Sequence, residues 1–511
     1  MKPSKIRQIL AVVCFLTVTA LFLDFTGSVH KYLSWITIIQ FIPALLMLNV
    51  GIILFLVVLT FIFGRIYCSA ICPLGILQDI ISRIAAKRKK HRFSYSPALS
   101  WIRYIVLGMF VIAFVAGLHS FVALLDPYSA YGRIASNLFA PFYQWGNNVL
   151  AYLAERTESY AFYSTEIWLK SVLILGIAVA TLATLIVLAW RNGRTYCNTI
   201  CPVGTILGFI SRFSVLKPVI DTDKCNACRS CVRNCKASCI NEKENKIDYS
   251  RCVVCLNCIN VCKQNAIDYR FKSFGLSLSK TNSEQGVSRR SFLTVFISFV
   301  GWALAKAQAP QLKGDGGLAK IIDKQPPKRT TVILPAGSQN ARHFAKHCTG
   351  CQLCVSICPN QVLRPSKDLI TAMQPFMSFE KGYCRPECTK CAEVCPTDAI
   401  HHITKAEKSS TQIGHAVWSK ERCIIYTDKS VCDNCARHCP AAAITMIDIP
   451  ELAKQETADK PQRPSNEAPK PTKIPVIDTE RCIGCGACEH LCPARPYSAI
   501  FVEGHLSHRT V

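Results

Sequence analysis

Residues 348–359 read CTGCQLCVSICP, and the rest of the chain repeats their grammar. Cys348, Cys351, Cys354 and Cys358 follow C-x2-C-x2-C-x3-C with Pro359 behind them, a run that binds a [4Fe–4S] cluster. Five further groups keep that pattern or a close variant. They are Cys225/Cys228/Cys231/Cys235, Cys252/Cys255/Cys258/Cys262, Cys384/Cys388/Cys391/Cys395, Cys423/Cys432/Cys435/Cys439 and Cys482/Cys485/Cys488/Cys492. Together the six groups use 24 of the 30 cysteines, which predicts six clusters and a chain that moves single electrons. Three thiolates on one tight loop face three irons of a cubane, and the fourth usually serves the other cluster of a pair. The groups therefore work in twos.

Two other uses of cysteine fit poorly. Disulfide frameworks belong to short secreted chains, and zinc sites use two C-x2-C arms. Four groups are followed by Pro359, Pro396, Pro440 and Pro493, whereas the first two have Lys236 and Lys263 there. Cys239, four residues past Cys235, is a spare that is able to replace it as ligand.

The 511 residues are half hydrophobic and carry a formal charge of +26. Four stretches, near 6–24, 36–63, 101–125 and 168–190, are long and apolar enough to span a bilayer. The second is long and contains Pro43, which predicts a tilt or a kink. The basic residues follow the membrane rather than a nucleic-acid groove, and no nucleic-acid partner is expected. Lys2, Lys5 and Arg7 precede the first span, Arg83, Lys87, Arg88, Lys89, Lys90 and Arg92 fill the loop after the second, and Arg191 and Arg194 follow the fourth. The opposite loops hold only Lys31, Arg133 and Arg156. Positive residues stay inside, so the N-terminus, the 64–100 loop and the segment after 190 are expected in the cytoplasm of a multi-pass inner-membrane protein.

The membrane half repeats itself. GRIYCSAICPLGILQDIISR (64–83) and GRTYCNTICPVGTILGFISR (193–212) agree at 11 of 20 positions, 129 residues apart. This predicts two copies of a two-span unit about an axis along the membrane normal. Each copy holds C-x3-C-P, giving Cys68/Cys72 and Cys197/Cys201. These thiols either gather to bind a metal or cluster, act as a redox dithiol, or merely pack helix starts. Cys14, inside the first span, is read as inert. His119, in the third span, and His30 are interfacial histidines or, in the sharper reading, proton acceptors at a quinol site.

Between the halves, SRRSFL (288–293) precedes an apolar run, Thr294 to Ala305. It matches a twin-arginine export signal placed inside the chain, with an ordinary fifth helix as the alternative. The first two cysteine groups then face the cytoplasm and the last four face outward. A Pro- and charge-rich stretch, 450–475, reads as a surface loop. The predicted architecture is an α-helical four-span membrane bundle (1–215), a two-cluster ferredoxin-like α+β domain (216–275), a signal or anchor with linker (276–330) and a four-cluster α+β domain (331–511). No dinucleotide, P-loop or hydrolase motif is present.

Taken together, these features resemble two proteins fused. Residues 1–275 resemble the NapH-type membrane ferredoxins of nitrate-reductase systems in their four spans, their two C-x3-C-P motifs and their two-cluster module. Residues 286–511 resemble the NapG- and MauM-type ferredoxins, through SRRSFL, GYCRPECTKCAEVCPTDAI (382–400) and CIGCGACEHLCPARPYSAI (482–500). The resemblance implies a quinol donor, a periplasmic reductase or electron carrier as acceptor, and partners in the membrane lipid and quinol pool. A polyferredoxin that matures a respiratory metalloenzyme is the alternative. Analogy with four-cluster ferredoxin subunits implies that the outer groups pair first with fourth and second with third. Cys492 would then join Cys348/Cys351/Cys354, and Cys358 would join Cys482/Cys485/Cys488. In the inner pair, Cys262 would join Cys225/Cys228/Cys231, and Cys235 would join Cys252/Cys255/Cys258.

Overall fold

The computed structural model describes residues 3–89, 93–159, 161–165, 167, 170–242, 244–271, 322–368, 371–428, 430–448 and 473–510, with the backbone of 314–315 and 319–320. The SRRSFL segment, the apolar run after it and most of 450–475 lie outside these residues.

Among the described residues two helices are single, long and apolar enough to cross a membrane, α1 (Pro3–Leu23) and α12 (Val172–Asn192). The other two expected spans are broken. Residues 36–63 fall into α3 (Trp35–Ile38), α4 (Phe41–Leu46) and α5 (Val50–Phe63), after the short α2 (His30–Leu33). Leu48 takes a left-handed φ of 51° and Asn49 caps α5 by accepting from Ile52 N, so the helix restarts there. Pro43 lies in the first turn of α4, where its missing N–H is harmless, and kinks nothing. Residues 101–125 divide into α8 (Ser100–Val115) and α9 (His119–Leu125) at Gly117, φ 77°.

Each repeat begins with a short helix that carries the first cysteine, α6 (Ile66–Ala70) or, in the second copy, α13 (Thr195–Thr199). A longer helix opens with the proline of C-x3-C-P, α7 (Pro73–Lys89) or α14 (Pro202–Ser211). The stretch read as an outer loop is instead α10 (Pro127–Ile134), a π-helical turn (Ala135–Phe139) and α11 (Ala140–Arg156). Every residue of α10 is buried, including Arg133, and the helix packs on α7 and α12. Asp126 caps it by accepting from Tyr128 N and Ser129 N, and Pro127 starts its first turn.

The remaining described residues form short helices and two-stranded antiparallel sheets. In residues 216–271, β1 (Leu216–Ile220) pairs with β4 (Ile267–Phe271), and β2 (Ile240–Asn241) pairs with β3 (Lys246–Ile247). Two residue pairs form β5 (Gly314–Asp315) and β6 (Ala319–Lys320). In residues 322–510, β7 (Leu363–Pro365) pairs with β8 (Pro375–Met377), β10 (Ile444–Asp448) with β11 (Lys473–Ile477), and the long β12 (Ile500–Thr510) with β9 (Thr411–Trp418).

The two cysteine-rich parts sit at opposite ends of α1. At its start, Asn260 Nδ2 donates to Ser4 Oγ. Past its end, Lys390 Nζ donates to Thr26 O at 3.1 Å, and Ile357 and Lys390 lie against Gly27. A 21-residue helix is about 30 Å long, the thickness of a bilayer's hydrocarbon core.

Candidate functional site

The cluster loops share one backbone recipe. In four groups the residues on either side of the second cysteine are left-handed: Ala227 and Arg229, Val254 and Leu256, Gly350 and Gln352, Gly484 and Gly486. Two such residues curl the loop so that three successive thiols turn to one side. A β-branched Val254 at φ 50° is costly, and strain of this kind persists where the surroundings enforce it. Past the fourth cysteine the chain turns back, and its sulfur accepts a backbone N–H. Cys262 Sγ accepts from Ala266 N at 3.3 Å, Cys358 Sγ from Val362 N at 3.4 Å and Cys439 Sγ from Ala443 N at 3.3 Å.

Folding sorts the sulfurs into fours. One cavity is lined by Cys225, Cys228, Cys231 and Cys262, and another by Cys252, Cys255, Cys258, Cys235 and Cys239. This matches the exchange of fourth ligands expected for the inner pair. Cys239 Sγ stands 3.5 Å from Cys235 Sγ, so the spare does share that site.

The outer groups pair differently from the expectation. Cys384, Cys388 and Cys391 line a cavity with Cys358, and Cys348, Cys351 and Cys354 lie within electrostatic reach of Cys395. Cys423, Cys432 and Cys435 share a cavity with Cys492, and Cys482, Cys485 and Cys488 share one with Cys439. Neighbours in sequence therefore pair: first with second, third with fourth. The reason is local. The β7–β8 pair folds the 348 group onto the 384 group, and β10–β11 brings the 423 and 482 groups together.

Basic side chains line these sets. Lys408 is buried, and its Nζ donates to Cys384 Sγ at 3.1 Å, to Arg385 O at 3.0 Å and to Cys388 O. Burial alone would lower its amine, but the facing sulfurs of Cys384, Cys391 and Cys388 raise it above its ordinary value. Burial likewise pushes the Cys435 and Cys485 thiols up to about 12. Such thiols ionise only when a metal takes the proton's place.

The C-x3-C-P cysteines converge. Cys68, Cys72, Cys197 and Cys201 are each 4 % exposed, and every pair among them is within electrostatic reach. Arg65 and Arg194, equivalent in the repeat, cross over. Arg65 Nη2 donates to Cys197 O at 3.1 Å, and Arg194 Nη1 donates to Cys68 O. Gly75 and Gly204 are equivalent too, and a Cβ there would lie 2.3 Å from Cys68 O or 2.2 Å from Cys197 O. Cys14 is half-buried in α1 and packs against the same apolar core.

Sequence reading missed these arginines, although GR opens both copies of the repeat. It also missed α10, which carries no cysteine. Among the described residues no three His, Cys, Asp or Glu close on a single metal ion. Zinc would need sulfurs about 3.8 Å apart, from its 2.3 Å bonds.

His30, read as interfacial, is buried with Nδ1 3.1 Å from Asp24 Oδ2. His119 packs edge-on to Phe114, near His347.

These sulfur sets define an iron–sulfur electron-transfer protein with several ferredoxin-type 4Fe-4S domains. A 4Fe-4S dicluster domain model matches residues 347–399, enclosing the first outer pair, and 430–495, which holds the second outer pair except Cys423. Models of 4Fe-4S binding domains match 245–268 and, in the helical half, 45–91 and 174–220.

More particularly, the chain is related to the Nap and Mau ferredoxin-type proteins. It is 29% identical over 189 residues to the ferredoxin-type protein NapG of Escherichia coli, covering 35% of this chain and 75% of NapG. It is 26% identical over 195 residues to NapF of the same organism, covering 38% of this chain and 100% of NapF. The methylamine utilization ferredoxin-type protein MauM of Methylophilus methylotrophus is 26% identical over 176 residues, 34% of this chain and 71% of MauM. No solved structure matches.

Proposed function

We propose that the protein is a multi-pass membrane carrier that takes electrons from quinol and passes them to a reductase or electron carrier outside the cytoplasm. The observation that carries this reading is the position of the sulfur sets at both ends of a helical bundle one bilayer thick. Six sets of four cysteines, grouped as above, would hold six [4Fe–4S] clusters, and such clusters take up and release one electron each.

Lipid contact is supported by side chains that water would not tolerate in such number. Leu16, Phe55, Ile112, Val115, Phe142 and Trp145 are all exposed, on α1, α5, α8 and α11. The excess of basic residues near the 64–100 loop supports a cytoplasmic 216–271 domain and an external 322–510 domain. Quinol oxidation also needs proton acceptors. His119 lies near His347, which stacks on His343 at 4.1 Å, and His343 stacks on His401 at 4.7 Å. These rings run from the helical half past His347, the neighbour of Cys348.

The test is anaerobic mixing of full-length protein in lipid nanodiscs with a short-chain quinol, followed by visible absorbance. Bleaching of the iron–sulfur bands is expected. Bands that dithionite bleaches and quinol does not would refute quinol as donor. A reporter at Val511 that works only outside the cytoplasm should be active; an inactive one would refute the orientation.

A further inference from the structure

We infer that Cys68, Cys72, Cys197 and Cys201 together hold one additional [4Fe–4S] cluster, shared between the two repeats and set between the inner and outer cysteine domains. The two family matches in the helical half each span only two cysteines, half of what a cubane needs. Only the meeting of the repeats completes a set of four, and the four buried cysteines gather about Arg65, whose Nη2 reaches Cys68 Sγ at 3.9 Å and Cys197 O at 3.1 Å.

Three observations point to an anionic group at this place. First, the buried charge does not balance. Arg65 and Arg194 are 0 % and 1 % exposed. Asp79 meets Arg194 at 2.9 Å, but it also meets Lys236 at 3.5 Å and Arg7 at 3.8 Å. Among the described residues, no carboxylate pairs with Arg65. Its guanidinium reaches only Asn198 Oδ1, Ser250 O, Cys197 O and, at 3.9 Å, Cys68 Sγ. Isolated buried cations are costly, and a four-thiolate cluster, roughly −2 when oxidised, would offset this surplus.

Second, two helix N-termini converge. Cys72 and Cys201 stand immediately before α7 and α14, and Cys201 Sγ accepts from Gly204 N at 3.4 Å. Helix starts stabilise thiolates and anions. Third, the buried Gln78 Nε2 donates to Cys197 Sγ at 3.2 Å, a further polar hydrogen aimed at these sulfurs.

Charged and aromatic side chains within electrostatic reach of one another lie on both sides of the site. Inward, Arg194, Asp79, Arg7 and Lys236 lead to Cys255. Outward, Tyr67 and Tyr196 lead to Asp126, Tyr128 and Arg133, and these reach Cys351. In this role one electron enters and one leaves, with no bond formed or broken and no proton required. The relay role rests on the electron-transfer reading, whereas the cluster does not.

Iron and acid-labile sulfide are counted in anaerobically purified full-length protein, with Mössbauer spectra. Wild type should carry four irons beyond those of the six ferredoxin sets. C68S/C72S should lose those four, C197S/C201S the same four, and the quadruple variant no more. Losses that add would mean two separate sites, and a wild-type count equal to six clusters would overturn the inference without any variant. Gln78→Leu, which keeps all four cysteines, should retain the iron and shift one cluster's potential. An unchanged set of potentials would refute the placement beside Cys197. Quinol-driven reduction is scored separately, so its failure leaves the iron count standing.

Discussion

Lys408→Met removes a buried cation from the edge of one sulfur set and keeps its aliphatic stem. Lys408 Nζ lies 3.1 Å from Cys384 Sγ, so it favours the more negative, reduced state of a cluster held by Cys384, Cys388, Cys391 and Cys358. Two unit charges about 4 Å apart interact by about 4 kcal/mol at an effective dielectric of about 20. For one electron, about 1.4 kcal/mol corresponds to about 59 mV, which sets a ceiling near 170 mV. The added electron is spread over the cluster and salt screens part of the field, so a fall of about 50–150 mV is expected. The variant also leaves Cys388 O without its Lys408 donor, at about 1–3 kcal/mol of stability, while Arg385 O keeps the Cys388 N–H. The assay is a potentiometric titration of the full-length protein followed by EPR. One midpoint should fall and the others should stay. Lys408→Arg should recover most of the drop. An unmoved or raised midpoint with the cluster present, or Lys408→Arg behaving like Lys408→Met, would refute the electrostatic argument.

Three further outcomes are expected. Gly75→Ala and Gly204→Ala push a methyl into Cys68 O and Cys197 O, so each should cost about 1–3 kcal/mol or more, and by similar amounts. Thermal melts in detergent would show a breakdown of the pseudo-twofold if only one variant suffered. Asp79→Asn leaves Arg194, Lys236 and Arg7 without their shared carboxylate, at about 3–5 kcal/mol, and should loosen the 216–271 domain. Limited proteolysis near Lys236 should accelerate, and an unchanged rate would sink the idea. His508 has two buried ring nitrogens without partners, and burial followed by His505 lowers it from 6.5 to about 4. Between those values the unfolded chain binds a proton that the folded chain does not, so stability falls as pH drops from about 6.5 toward 4, by at most about 3 kcal/mol. His508→Gln should flatten that slope in pH-dependent melts, and an equally steep slope would clear His508 of the effect.

Cysteine spacing determined much of this protein without any structure. The C-x2-C-x2-C loops are local objects, and their turns follow from a few residues whatever surrounds them, so all six groups and the repeat at 64–83 and 193–212 were legible in the chain. The inner exchange of Cys235 and Cys262 was legible too, because only one partner lies within reach. The outer exchange was not. With four groups in line, spacing permits several pairings, and strand pairing at β7–β8 and β10–β11 chose Cys395 for the Cys348 set and Cys492 for the Cys423 set. Hydropathy located α1 and α12 but read through the breaks at Leu48 and Gly117, since a window average does not register a single left-handed residue. It also placed Arg133 in an outer loop, although α10 is buried against α7 and α12. The crossing of Arg65 and Arg194 over the four C-x3-C-P thiols joins residues some 130 positions apart. Only tertiary packing decides contacts of that kind, because sequence periodicity describes a face and not what it meets.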